Sequence, residues 1–219
     1  MIGTSRTDHA AVINAMAKKE TVMSLPPLVT QAGPYKINFT PCPFYHMRVD
    51  LTAPRAGILH TTEGGFSGSM QVFKEHFAPH FELGINRDGQ VQINQLVQIG
   101  YIGAACCAHN NKAIVQIEMV GFSKPDPWFP DDKTADALAH LLVVLEAQYA
   151  IPLSHPWDDD DWPRAGINPH RNAGKFGHVS GWFGHGDMPD PDTHWDPGHF
   201  QWSKLFDLAN GIKKTTGVA

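Results

Sequence analysis

Residues 177–199 constrain the chain most, because they set His178, His185, His194 and His199 beside the carboxylate of Asp196 in a segment repeatedly broken by Gly and Pro. That composition predicts a loop, in which imidazole and carboxylate side chains turn inward free of any helical or strand period. A borderline ion such as zinc takes imidazole nitrogen and carboxylate oxygen, and a catalytic site needs three protein ligands and one water. His185 and Asp196 are the candidate pair, so the third ligand must come from elsewhere in the chain.

Upstream, Ala56, Ile58 and His60 share one face of a predicted strand over 55–60, which the turn Thr61-Thr62-Glu63-Gly64-Gly65 ends. Ligands of α/β sheets bind where strands end, which makes His60 a candidate. Taken alone, a strand-end histidine satisfied by a hydrogen bond is the simpler reading. A short helix over 69–77 follows. Phe81, Leu83 and Ile85 then alternate with polar neighbours, and Asn86-Arg87-Asp88-Gly89 supplies a turn before 90–96, which predicts a hairpin. Residues 113–120 read as a central strand, with Val115, Ile117 and Met119 on one face and Gln116 and Glu118 on the other. Burying Glu118 is costly unless a Lys or Arg pairs with it or a function uses it.

Leu138, Leu141, Leu142, Leu145 and Tyr149 recur at helical spacing behind the capping candidates Asp132 and Thr134, and Pro152 stops that helix. Residues 152–197 read as one long loop, and a loop of that length in a compact domain is functional or disordered. A last helix is expected over 198–213, with Asp196 as its N-cap and Pro197 in its first turn. Of the tryptophans Trp162, Trp182, Trp195 and Trp202, buried ones would build core and exposed ones would stack on sugar or peptide.

The expected organisation is an extension over 1–50, Pro-rich and packed on or leading into the domain, followed by one domain over 51–219. A net charge of -5 without a basic run argues against nucleic acid, and the acidic run 158–161 reads as a solvated loop. Three cysteines do not make a disulfide framework. Cys106, Cys107 and His109 form a rival metal triplet, but they lack the paired spacing of structural zinc sites, and small buried roles suit the cysteines better. Charged residues interrupt every apolar run in residues 1–28, so no standard export signal is visible, and 138–151 is too short to span a bilayer. The expectation is a monomer without stable membrane insertion.

In combination these features resemble the zinc-dependent type-2 N-acetylmuramoyl-L-alanine amidases, a family that includes phage endolysins and the peptidoglycan recognition proteins. The resemblance runs from about Gly57 to Phe206. It rests on Ile58-Leu59-His60-Thr61-Thr62, on Pro79-His80-Phe81 with Asn86-Arg87-Asp88-Gly89, and on Asn111 and Gly121 flanking Glu118. Gly184-His185 and Asp196-Pro197-Gly198 complete it. It implies an α/β fold with a central mixed sheet flanked by helices, zinc held by His60, His185 and Asp196, and Glu118 as general acid/base. His194, two before Asp196, takes a position often held by lysine and would donate from its neutral imidazole to the oxyanion. Asn111, Thr61 and Trp195 would contact the substrate.

The implied reaction is hydrolysis of the amide between the lactyl group of N-acetylmuramic acid and L-alanine in peptidoglycan or muropeptides. Two departures stand out: the spacing from His185 to Asp196 is one residue longer than in the muropeptide amidases, and Cys106 falls where many members carry a substrate-facing histidine. The form His194-Trp195-Asp196-Pro197-Gly198 looks most like phage-encoded amidases, which implies a cytoplasmic product that acts on the wall after release through the membrane. The competing readings are a non-catalytic peptidoglycan-binding module and a zinc peptidase that cuts within the stem peptide.

Overall fold

The computed structural model describes residues 25–51, 54–76, 78–159 and 167–217. The polar start of the chain, Phe77, Trp162 and residues 160–161 of the acidic run lie outside the described residues. The core is a seven-stranded sheet in the order β1 (Gln31–Ala32), β2 (Tyr35–Phe39), β6 (Val91–Gln95), β5 (Phe81–Ile85), β8 (Ala113–Met119), β4 (Ala56–Thr61) and β10 (Gly181–Gly184). The pairs β1–β2 and β5–β6 are antiparallel and the other neighbours parallel, so the sheet is mixed, as expected.

Strand β8 is buried at every residue, as a strand covered on both faces must be. Val115, Ile117 and Met119 pack with Leu59 and Leu83 beneath the helices α2 (Asp132–Tyr149) and α3 (Trp202–Thr216). On the opposite face Ala56, Ile58 and Ala113 meet Trp157, Phe176, Phe183 and Met188, which come from the segment after α2. The helix α1 (Phe66–Glu75) begins three residues earlier than expected and buries Ser69 and Phe73. Asp131, not Asp132 or Thr134, caps α2, accepting from the N–H groups of Lys133 and Thr134 at 3.1 Å each. That helix ends at Ala150, in the left-handed region at φ 52°, before Pro152 is reached.

Two expectations near the C-terminus are corrected. Residues 152–197 are not loop throughout, because β10 runs parallel to β4 with Trp182 on the helix-covered face and Phe183 on the other. Four residues bounded by glycines are too few to show a period, so the strand is decided by its partner. Gly57 makes the pairing fit, since a Cβ there would lie 2.5 Å from the Trp182 ring. The last helix starts at Trp202 rather than at 198, because β11 (Gly198–Phe200) first pairs with β9 (Lys124–Trp128). Gly198 has φ +75°, and a Cβ on it would come 2.4 Å from the Lys124 carbonyl oxygen, so only glycine fits. Asp196 is therefore no helix cap. Asp159 takes that part instead, its Oδ2 accepting from Ser203 N at 3.0 Å.

Residues 25–50 supply the sheet edge through β1 and β2, and β3 (Tyr45–Arg48) pairs with β7 (Tyr101–Ile102). Trp182 and Trp202 are buried, whereas Trp195 is 39% exposed.

Because overpacking a tight core costs about 1–3 kcal/mol, Gly57→Ala is expected to lower stability by that amount. It should also weaken metal binding through β10. Urea unfolding and zinc titration of the variant check both effects.

Candidate metal centre and active site

The strands β8, β4 and β10 are adjacent and parallel, so their carboxyl ends share one edge of the sheet. His60 is the register partner of Glu118, and Gly184 that of Leu59, so His185 leaves β10 level with His60. The two imidazoles lie 4.8 Å apart, edge to face at 81°. Asp187, fully buried, fixes the 3-10 turn His185–Asp187 by accepting from Gly184 N at 2.7 Å, Asn168 Nδ2 at 2.6 Å and His155 Nε2 at 3.0 Å. Asp196 reaches the same place from the β11 side. Its carbonyl accepts from Gly186 N at 2.9 Å, and the next carbonyl, of Pro197, accepts from Trp128 Nε1 at 2.7 Å.

The Asp196 carboxylate lies 3.2 Å from His60 Nδ1 and 3.3 Å from His185 Nδ1. One ligand atom from each of the three residues falls within 4.8 Å of the others. Burial lowers the pKa of His60, outweighing the raising effect of Asp196, so the ring keeps a lone pair for a ligand. Burial alone would raise the pKa of Asp196, but hydrogen bonds and charge from His185 and His60 hold it well below the carboxylate range.

The test of fit for a cation lies at His185. This buried ring faces Asp196 through Nδ1 and Asp192 through Nε2, at 3.2 Å. A neutral imidazole carries one N–H. With that proton on Nε2, Nδ1 keeps a lone pair close to His60 Nδ1 and the Asp196 carboxylate, in a group whose ligand atoms lie within 4.8 Å of one another. Three lone-pair donors around one point suit a cation, and two imidazoles with one carboxylate suit zinc with a fourth position open.

Glu118 lies beside this point, buried, with Oε2 lacking a hydrogen-bond partner. Among the described residues no Lys or Arg pairs with it, contrary to the structural alternative. Burial first, then the negative charges of Asp196, Glu82 and Glu63, raise its pKa well above that of an ordinary carboxyl. Glu82, its register partner on β5, is fully buried and bonded to Ser69 Oγ and to Asn94 Nδ2 at 3.3 Å. Burial raises its pKa to about 7.

His194 stacks on His185 with centroids 4.0 Å apart and planes at 10°. Its Nδ1 donates to Asp192 Oδ1 at 2.8 Å, so a neutral ring offers a lone pair at Nε2 and not an N–H. Donation from Nε2 would need a proton on that nitrogen as well. Asp192, which links both rings, was not singled out from sequence, because one aspartate among several in a Pro-rich loop carries no distinguishing pattern. Thr61 is buried and its hydroxyl bonds to Glu63 Oε1 at 2.7 Å and Ser123 Oγ at 2.5 Å, while its N–H supports Asp196 Oδ2 at 3.4 Å.

Asn111 is exposed in the 3-10 helix Cys107–Lys112, where the neighbouring Asn110 makes the internal hydrogen bonds, to Ala105 N, Cys106 N and Gln116 Nε2. The triplet Cys106, Cys107 and His109 does not converge, and Cys106 is sealed in the core. A cleft of about 190 Å³ beside His194 is lined by Cys107, Ala108, His109, Pro191, Asp192 and Thr193.

A family model described as N-acetylmuramoyl-L-alanine amidase matches residues 50–199. The chain belongs to this family. It is an enzyme of the N-acetylmuramoyl-L-alanine amidase type. No curated protein matches it in sequence. Among solved structures it is similar to the Staphylococcus aureus hydrolase AmiA in complex with its ligand, with TM-score 0.54 at 15% identity over 90% of this chain and 99% of that one. The amidase LysC from Clostridium intestinale URNW gives TM-score 0.48 at 13% identity, over 84% and 99% of the two chains. Apis mellifera PGRP-SA gives TM-score 0.48 at 13% identity, over 78% and 94%. At such identities the AmiA likeness speaks to the amidase fold alone.

The position of Glu82 makes the stability of this amidase pH-dependent. Its folded pKa of about 7 lies above the ordinary 4.5, so the folded state binds the proton more tightly than the unfolded chain. The resulting stabilisation is complete below about pH 4.5 and is lost as pH rises through about 7. Glu82→Gln is expected to raise stability at about pH 8 by up to about 3 kcal/mol, with no gain at about pH 4. Urea unfolding at the two pH values measures the difference.

Proposed function

We propose that this amidase uses zinc to hydrolyse the bond between the lactyl group of N-acetylmuramic acid and L-alanine in peptidoglycan, as a phage-type endolysin. The carrying observation is the meeting of His60 Nδ1, His185 Nδ1 and the Asp196 carboxylate, with Glu118 as register partner of His60. Those three groups would hold the ion. When bound, zinc supplies Lewis-acid polarisation and brings the pKa of water from about 15.7 toward about 7.

Glu118 accepts the proton of the attacking water at a carboxylate oxygen and hands it to the nitrogen of the departing L-alanine. Burial and the neighbouring carboxylates raise its pKa, which makes it a stronger proton acceptor whenever it is ionised. His194, held by Asp192 through Nδ1, would direct Nε2 toward the oxygen of the scissile carbonyl. The exposed ring of Trp195 suits stacking on the substrate, Asn111 lies exposed for a polar contact, and Thr61 steadies Asp196 from beneath.

The catalytic unit in this reading is 51–219, working as a monomer and reaching the wall through a membrane lesion. Among the described residues no helix is long and apolar enough to cross a membrane. A pure binding module has no need of an unpaired buried acid beside the ligand set, so Glu118 favours hydrolysis.

Glu118→Gln is expected to retain zinc while turnover falls about 10²–10⁴-fold, whereas Asp196→Ala loses zinc. Metal analysis of both variants checks this, and a zinc-free Glu118→Gln protein overturns the assignment. Mass analysis of digested peptidoglycan should find new L-alanine amino termini with intact glycan. Cleavage inside the stem peptide would instead make the enzyme a peptidase.

A further inference from the structure

We propose that Asp192 is the positioning residue of the metal centre, holding His185 with Nδ1 bare toward the ion and holding His194 flat against the same ring. This rests on the zinc reading of His60, His185 and Asp196. The carboxylate is nearly buried and uses both oxygens. Oδ2 faces His185 Nε2 at 3.2 Å, while Oδ1 accepts from His194 Nδ1 at 2.8 Å and His194 N at 2.9 Å. One acid thus spans two stacked imidazoles whose centroids are 4.0 Å apart.

The consequence for His185 follows from its having one proton to place when neutral. Without Asp192 the nearest acceptor is Asp196, 3.3 Å from Nδ1, and a proton there would occupy the nitrogen that must bind the ion. With Asp192 the proton has a partner at Nε2. A carboxylate behind a ligating imidazole also increases its basicity and restrains rotation of the ring.

Cys107 offers a rival reading. It brings a ligand atom within 4.8 Å of ligand atoms of His185, Asp192 and His194, and its backbone is left-handed at φ 45°. A second ion there, with His185 Nδ1 kept for the first, would require His185 to give up the Nε2 proton it donates to Asp192. Both oxygens of that carboxylate are already engaged by N–H donors, which favours positioning over ligation.

The test is zinc affinity by chelator competition on the full chain, with metal counted per chain, for the wild type, Asp192→Asn, Asp192→Ala and Cys107→Ser. The wild type should bind one zinc. Both Asp192 variants should bind it about 10–100-fold more weakly, and Cys107→Ser should match the wild type. The zinc-loaded wild type should also show a slowly exchanging imidazole proton by NMR that vanishes in Asp192→Ala. A purely structural role would lower the thermal midpoint of the zinc-free protein and leave zinc affinity unchanged.

Affinity within twofold of wild type in Asp192→Asn and Asp192→Ala overturns the proposal while leaving the zinc centre standing. Two ions per wild-type chain, one of them lost in Cys107→Ser and in Asp192→Asn, overturn it in favour of a second site. A wild type that binds no zinc removes the underlying reading as well.

Discussion

The parallel pairing of β4 with β8 on one side and β10 on the other is the constraint on which the rest depends. Parallel neighbours end at the same edge, so residues far apart in sequence are delivered to one level: His60 from β4, Glu118 from β8 and His185 just past β10. A one-residue slip would turn His60 or Glu118 into the helix-covered core. The apolar clusters on the two faces prevent this, since Leu59 and Ile117 pack under the helices while Ile58 packs against Phe183. Core packing and site geometry are thus one register choice.

Charge is handled unusually at this edge. Glu82, Glu118 and Asp196 bring three acids into buried positions, and only Asp196 is compensated there by imidazoles. Burial drives both carboxyls on the sheet toward their protonated forms, and the charges of Asp196 and Glu82 push Glu118 further. Neighbouring groups whose environments push their pKa values apart are the arrangement acid–base chemistry uses. Here the low-lying member faces the imidazoles, and the raised one stands beside the space where a water would react.

The segment after α2 has two structural duties besides carrying the candidate ligands His185 and Asp196. It closes the face of the sheet that the helices leave open, through Trp157, Phe176 and Phe183, and it holds His185 and Asp196 by internal bonds to Asp187 and Gly186. His185 and Asp196 are thus fixed by hydrogen bonds, although most of the segment has no regular repeat. His194 and Trp195 stand toward solvent at its rim, next to the cleft lined by Cys107 and His109.

The strands over 56–61, 81–85, 91–95 and 113–119 and the helix ending near Tyr149 were legible because each is long enough to show its period, and burial rewards that period directly. The candidate ligands were legible because histidine and aspartate in a Gly- and Pro-broken stretch have few other uses. Other features exist only through contact at long range. The four-residue β10 is a strand because β4 offers it an edge. Asp159 caps α3 from 44 residues away, and Asp192 acquires its partners only when His185 and His194 stack. Local periodicity determined which residues are buried and which chemistry is at hand. Tertiary structure alone decided which nitrogen of each imidazole faces Asp196, because that orientation depends on carboxylates placed by the folded loop.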